Sequence, residues 1–202
     1  SDATNGGVTV DGSQATYTPS ANYNGDDSFT FTASDGELSA TATVTLTVTA
    51  VNDAPTLAAV STVTFDEDGS GSTTLVGSDI DGDDLTYSIS GGTDITATVD
   101  GSTVSFSASD NFNGSESFTA TVTDDQLSSS QAFTVTVNAV NDAPTANAAS
   151  GTVAEDGSVV VTLTGADIDG DNLSFALDTD ASNGGVTVEG SQATYTPSAN
   201  YN

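Results

Sequence analysis

Two short runs carry the chemistry this sequence can offer. Asp79-Ile80-Asp81-Gly82-Asp83 and Asp167-Ile168-Asp169-Gly170-Asp171 each place three carboxylates at alternate positions around one glycine. The alternation puts several acids on one side of a tight loop. Nothing cationic relieves them, because the chain has 29 acidic residues and no Lys, Arg or His, a formal charge of -29. Such a cluster is unfavourable unless a cation fills it. With no His and no Cys, all side-chain donors are oxygens, which suit calcium or magnesium and not zinc, haem iron or iron–sulfur clusters. The runs lack the terminal Glu spacing and the helical flanks of an EF-hand. A single Asp-Gly-Asp is also the sequence of an ordinary solvated turn, so recurrence is what favours an ion site.

The same charge balance excludes whole classes of partner. Charged residues of both signs normally make up about a quarter of a chain, so the absence of every basic side chain is not chance. Nothing here can neutralise phosphate, which removes nucleic acid, and nothing is drawn to an anionic membrane surface. No apolar run is long enough to span a bilayer, and no signal peptide is visible in this stretch. Without Cys there are no disulfides, the usual staples of small extracellular domains, and without Lys there are no Lys–Asn cross-links. Bound metal is the stabilising device that remains. Catalysis fits poorly, since His, Cys and Lys are missing. Paired carboxylates alone could serve a glycosidase, but these recur in each repeat with no aromatic cleft. The absence of Trp also weakens a carbohydrate-binding reading.

The elements that position these acids come from an internal repeat. Val51-Asn52-Asp53-Ala54-Pro55-Thr56 returns as Val140-Asn141-Asp142-Ala143-Pro144-Thr145. Asn22-Tyr23-Asn24-Gly25 likewise returns as Asn111-Phe112-Asn113-Gly114. Residues 1–24 and 179–202 differ at only three positions, Ser1/Thr179, Thr4/Ser182 and Asp11/Glu189. The intervening repeat matches the first at only ten of those 24 positions. The pattern is that of an alternating array with a duplicated two-repeat block. Residues 1–50 hold the C-terminal part of one repeat, 51–139 a complete one, and 140–202 the N-terminal part of a third. We read this as a window on a longer array; completion of half-repeats by neighbouring molecules is the alternative.

Alternation marks the strands. Phe29, Phe31 and Ala33 face one way with Thr30 and Thr32 between them, and Ala42, Val44, Leu46 and Val48 alternate with Thr. The complete repeat shows the same at Phe118, Ala120 and Val122, and at Phe133, Val135 and Val137. Further strands are expected near 62–65, 72–75, 85–88, 95–99 and 104–107, and no segment has a helical period. About seven short strands in about 90 residues predict an all-β fold of tandem immunoglobulin-like Greek-key sandwiches. Tyr17, Tyr23, Tyr87 and Phe112 are expected to pack in cores or turns. Asp26, Asp27, Asp94, Asp100 and Asp125 are expected to be solvated.

Several motifs together resemble the cadherin repeat. Val48-Thr49-Ala50-Val51-Asn52-Asp53-Ala54-Pro55 is similar to the linker that ends such a repeat. Phe31-Thr32-Ala33-Ser34-Asp35-Gly36 resembles its penultimate strand, Asp79-Ile80-Asp81 its paired-Asp motif, and Phe65-Asp66-Glu67-Asp68-Gly69 the acidic close of its first strand. The Asn-Asp-Ala-Pro and Asp-Gly-Asp forms are nearer to the bacterial cadherin-like repeats of giant extracellular adhesins of the repeats-in-toxin type. The resemblance implies cadherin-like sandwiches with calcium (Ca2+) at each junction. The first would be held by Asn52, Asp53, Asp79, Asp81 and Asp124. The second would be held by Asn141, Asp142, Asp167 and Asp169, with Glu67 from the preceding repeat. Animal cadherins carry a further acidic pair where this chain has Asn111-Phe112-Asn113-Gly114, which implies fewer ions per junction than their three.

The expected function is therefore a calcium-stiffened extender of a bacterial surface adhesin or fibre, outside the cell, supporting adhesion or biofilm formation. Its partners would be neighbouring repeats of the chain. A self-assembling filament is the alternative, with other copies as partners, followed by a carbohydrate-binding module.

Overall fold

The computed structural model describes residues 2–201; Ser1, one of the positions at which the two near-identical segments differ, and Asn202 lie outside them. Every regular element among the described residues is a strand. Residues 1–50 form β1 (Gly6–Asp11), β2 (Gln14–Pro19), β3 (Gly25–Ser34) and β4 (Ser39–Val48). The complete repeat contains β5 (Thr56–Leu57), β6 (Val63–Asp66), β7 (Ser70–Thr74), β8 (Gly77–Ser78) and β9 (Thr86–Gly91). It continues with β10 (Ile95–Asp100), β11 (Thr103–Ala108), β12 (Gly114–Thr123) and β13 (Ser128–Asn138). The third segment holds β14 (Thr145–Ala146), β15 (Val159–Thr162), β16 (Gly165–Ala166), β17 (Gly184–Glu189) and β18 (Gln192–Pro197). The five strands expected from alternation in the complete repeat are present. The two-residue β5 and β8 were too short for a periodic signal.

In the complete repeat β6-β13-β12-β9 form one sheet and β10-β11-β7 the other, while β5 pairs with β8. The long hairpin β12–β13 is antiparallel, with Phe118 opposite Phe133. β6 runs parallel to β13, pairing Val63 with Val135 and Phe65 with Val137. The two sheets' inward rows meet in a core of Leu57, Val63, Phe65, Leu75, Ile95, Val104, Phe106, Phe118, Ala120, Val122, Phe133, Val135 and Val137. Phe106 packs edge-on against Phe118 at 5.4 Å and against Phe133 at 6.0 Å between ring centroids. Both outward rows are almost wholly Ser and Thr, so each strand buries one face and wets the other. Tyr87 and Phe112 pack against this core as expected.

The pairs β1–β2 and β3–β4 repeat the hairpins β10–β11 and β12–β13. Phe31, the counterpart of the fully buried Ala120, is 47% exposed. Residues 1–50 do not include the strands that oppose it in the complete repeat.

Asp27 corrects the expectation that it is solvated. It is 8% exposed and accepts hydrogen bonds from the N–H of Asn5 (2.9 Å), Thr4 (3.2 Å) and Ser28 (2.8 Å) and from the Tyr17 hydroxyl (2.9 Å). Its counterpart Glu116 accepts from the N–H of Thr93, Asp94 and Ile95, all at 3.0–3.1 Å. Both acids stand on the inward row of their strand, where they tie the hairpin to the start of β1 or β10. The two repeat types solve this differently. Gly6 stands where the complete repeat has Ile95, and a Cβ there would lie 2.5 Å from the Tyr17 ring. Tyr17 itself stands where the complete repeat has Phe106.

Candidate metal centres

The acidic loop after β8 is built by hydrogen bonds from its own backbone. Asp79 Oδ1 accepts from the N–H of Asp81 (2.8 Å) and Gly82 (3.1 Å), an Asx-type turn. Gly82 adopts φ +82°, a left-handed conformation that glycine takes without steric cost. The equivalent turn recurs in the third segment, where Asp167 Oδ1 accepts from the N–H of Asp169 and Asp171, both at 3.1 Å, and Gly170 has φ +80°. With Oδ1 committed, Asp79 Oδ2 turns inward, where it is buried and has no hydrogen-bond partner.

Around this loop Asp79, Asp81 and Asp83 each offer an oxygen, all within 4.8 Å of one another. Asp53 donates its N–H to Asp81 Oδ2 at 2.8 Å, which draws the linker onto the loop. Asp124, 7% exposed, accepts from the N–H of Leu127 (2.6 Å) and Gln126 (2.7 Å) and from Asn52 Nδ2 (2.9 Å). The Leu127 N–H, then the Asn52 amide, hold the Asp124 carboxyl below its ordinary value despite burial. Asp83 is pushed up by burial and then by the charges of Asp79, Asp81 and Asp124. A recess of about 470 Å³ beside the linker is lined by Asn24, Asn52, Asp81, Asp83 and Gln126. Asp53 thus meets the loop at Asp81, and Asn52 meets Asp124 beside it.

At the second junction the convergence spans repeats. Glu67 of the complete repeat, Asp142 of the linker and Asp169 of the third segment bring carboxylate oxygens within 4.8 Å of one another. Glu67 is 5% exposed and accepts the Val140 N–H at 2.5 Å, while Asp142 donates its N–H to Asp169 Oδ2 at 2.7 Å. Asp142 Oδ2 is buried without a hydrogen-bond partner. Burial, then the charges of Asp169, Asp68, Glu67 and Asp167, push the Asp142 carboxyl up. Asn141 donates to the Asp142 carbonyl at 3.0 Å, as Asn52 does to that of Asp53.

Both groups can hold a metal ion: clustered oxygens, no nearby cationic side chain, and a buried carboxylate oxygen in each with no donor. The residues present fit a hard divalent cation, which takes six to eight oxygens from carboxylates, amides, carbonyls and water. Two contributors were missed by the residue-level reading. Asp83 belongs to the alternating run but was not placed among the ligands. Asp68 follows Glu67 with φ +59°, and its charge is among those that push the Asp142 carboxyl up. The Asn-Phe-Asn-Gly loop also reaches this junction, with Asn113 Nδ2 3.5 Å from Glu67 Oε2 and the Asn111 N–H donating to Asp68.

A comparison with curated proteins finds no match. Among solved structures, an endo-fucoidan hydrolase from glycoside hydrolase family 107 is 18% identical over 96% of this chain, with a TM-score of 0.39. The alignment covers 33% of that enzyme, so this chain spans about a third of its length. A chimeric titin Z1Z2 is 11% identical over 72% of this chain and 82% of its own, with a TM-score of 0.33. The N-terminal Ig1-2 module of the Drosophila receptor protein tyrosine phosphatase DLAR is 13% identical over 72% and 85%, with a TM-score of 0.32. Likeness at this level carries no argument about activity. The family model described as bacterial Ig domain matches residues 1–47, 52–138 and 141–202. Matched three times in succession over nearly all its length, this chain belongs to the bacterial Ig domain family.

Proposed function

We propose that the chain is a structural segment of a bacterial extracellular or cell-surface protein, an extender whose junctions stiffen when calcium binds. The observation that carries this reading is the meeting of Glu67, Asp142 and Asp169 from two repeats and the linker between them. An ion held there ties three independent pieces of chain together, which converts a hinge into a strut. Calcium is favoured over magnesium because the donors are numerous, irregular and partly amide or carbonyl, whereas magnesium demands near-octahedral geometry. Extracellular modules of this sort bind at about 0.1–1 mM, so such junctions would be loose in the cytosol and firm outside.

The reading supports no catalytic role: the acids lie at repeat junctions, and the sheet faces between them carry hydroxyls. Bacterial Ig domains are commonly displayed outside the cell, which agrees with a site filled only there. No helix of the described residues is long and apolar enough to cross a membrane. A place in an adhesin, supporting attachment or biofilm formation, is the finer form of the same proposal.

The test is thermal unfolding and small-angle scattering of the chain in EDTA, calcium and magnesium. Calcium should raise the melting temperature and lengthen the particle, with magnesium much weaker. A melt and a profile indifferent to calcium would reduce the acidic loops to solvated turns. A calcium-dependent polymer whose size grows with protein concentration would favour the filament reading instead.

A further inference from the structure

The repeats come in two kinds, and the difference falls where one hairpin packs on the next. In residues 1–50 and in the third segment a tyrosine ring leans on a glycine. A Cβ on Gly6 would lie 2.5 Å from the Tyr17 ring, and one on Gly184 2.5 Å from the Tyr195 ring. Both hydroxyls donate to the carbonyl just before that glycine, Tyr17 to Asn5 at 3.3 Å and Tyr195 to Asn183 at 2.9 Å. The complete repeat has neither residue. Ile95 and Phe106 take the two positions, both within the core.

The hairpin that follows carries a matching set. Asp27 on β3 accepts the Tyr17 hydroxyl, whereas the longer Glu116 on β12 reaches three N–H groups at the start of β10 and needs no hydroxyl. Phe31 stands where β12 has Ala120, and Val44 where β13 has Phe133. Large and small residues thus trade places between the two kinds.

Mixed pairings therefore fail on both sides. A β3–β4 hairpin laid on β10–β11 would put Phe31 in the place of the fully buried Ala120 and overfill the core. Its Val44 would leave Phe106 without the edge-on ring of Phe133, 6.0 Å away between centroids. Its Asp27 would lose the tyrosine donor. A β12–β13 hairpin laid on β1–β2 would press Glu116, one methylene longer than Asp27, against the Tyr17 hydroxyl. The turn before β10 differs as well. A Cβ on Gly92 would lie 2.6 Å from the Phe118 ring, and the other kind has Ala3 and Ala181 at that position.

We infer that the surface between hairpins is a recognition surface, on which each hairpin accepts a partner of its own kind and rejects that of the neighbouring repeat. Exchange of like elements between repeats is a characteristic failure of repeat proteins, and it needs interchangeable parts. Residues 1–24 and 179–202, alike at all but three positions, are interchangeable, and a repeat of the other kind stands between them. The alternation is thus a folding-fidelity device, built from contacts that penalise the wrong partner. It concerns strand packing alone and stands apart from any ion.

The test is a cycle of variants in the 202-residue chain, followed by calorimetric melting of the complete repeat in EDTA. In one form residues 90–113 take the sequence of residues 1–24. In a second, Glu116→Asp, Ala120→Phe and Phe133→Val give β12–β13 the core of the other kind. A third combines the two. Each change alone should lower the melting temperature by about 10 °C or more, and the combination should regain most of that loss. Giving residues 179–202 the sequence of residues 1–24 should leave the melt unchanged. An unchanged melt in either single form would show the hairpins to be interchangeable, and losses that simply add would show that the surface does not read kind; either overturns the inference. Refolding by dilution from denaturant tests the consequence. The combined form, with all three repeats of one kind, should recover a smaller share of the native transition than the parent, and equal recovery would overturn the role in fidelity.

Discussion

Glu116 stands on the inward row of β12, in step with Phe118, Ala120 and Val122, where an ionised side chain would ordinarily be unwelcome. It is tolerated because three consecutive backbone N–H groups at the start of β10 point at it. Those bonds, the Thr93 N–H foremost, outweigh the opposing effect of burial and hold the carboxyl below its usual 4.5. The sign of the pH dependence follows. A folded-state value below the unfolded one stabilises the protein above about pH 4.5, and that contribution fades as pH falls through the lowered value. In EDTA, Glu116→Gln should therefore flatten the acid limb of the melting-temperature profile between neutral pH and about pH 3. A limb as steep as the parent's would show that other acids govern it. Asp27 plays the same part in residues 1–50, with the Tyr17 hydroxyl as an added donor; burial and this carboxylate push the Tyr17 phenol up to about 12.

At the scale of elements, the strands and the loops that join them are stabilised differently. The strand core depends on aromatic contacts centred on Phe118, which is 1% exposed and touches both Phe106 and Phe133. Phe118→Ala should cost about 3–5 kcal/mol of unfolding free energy, by denaturant titration, with calcium present or absent. The acidic loop instead depends on the conformation of one residue. A Cβ on Gly82 would meet nothing within 4 Å, so space is not what requires glycine there. Its φ of +82° is the reason. Gly82→Ala should cost about 1–2 kcal/mol from backbone strain alone, and on the proposed reading it should weaken calcium binding as well. A Gly82→Ala variant of parental stability and calcium affinity would show that the turn relaxes freely.

Over the whole molecule, 29 negative charges repel one another with no basic side chain to offset them. Among the described residues the strand faces carry mostly hydroxyls, while the carboxylates gather at loops and junctions, where their repulsion is concentrated. Sodium chloride without divalent ions should therefore raise the melting temperature by screening, most steeply below about 0.1 M, where the Debye length exceeds about 10 Å. Millimolar calcium should achieve more than that salt effect at negligible ionic strength, if the ion is bound in place rather than merely screening. Calorimetric scans with matched ionic strength separate the two.

The sequence by itself determined the class and the outline. Period-two alternation, the recurring linker and the Asp-Gly-Asp runs are local signals. They placed the long strands and the acids of the loop after β8, since strand and turn preferences act over a few residues. The complete absence of His, Cys, Lys and Arg confined any ion chemistry to oxygen donors, whatever the fold. Tertiary structure decided what depends on distant parts of the chain meeting. Glu67 reaches Asp169 only because β6 pairs in parallel with β13 and carries its end to the linker. Asp68, beside Glu67, takes a left-handed backbone with φ +59°. Glu116 and Asp27 could have been noticed, as acids in step with an apolar row, but the main-chain donors Ile95 and Asn5 lie more than twenty residues away. Carboxylates repel at short range, so where they gather is set by the packed strands that force them together.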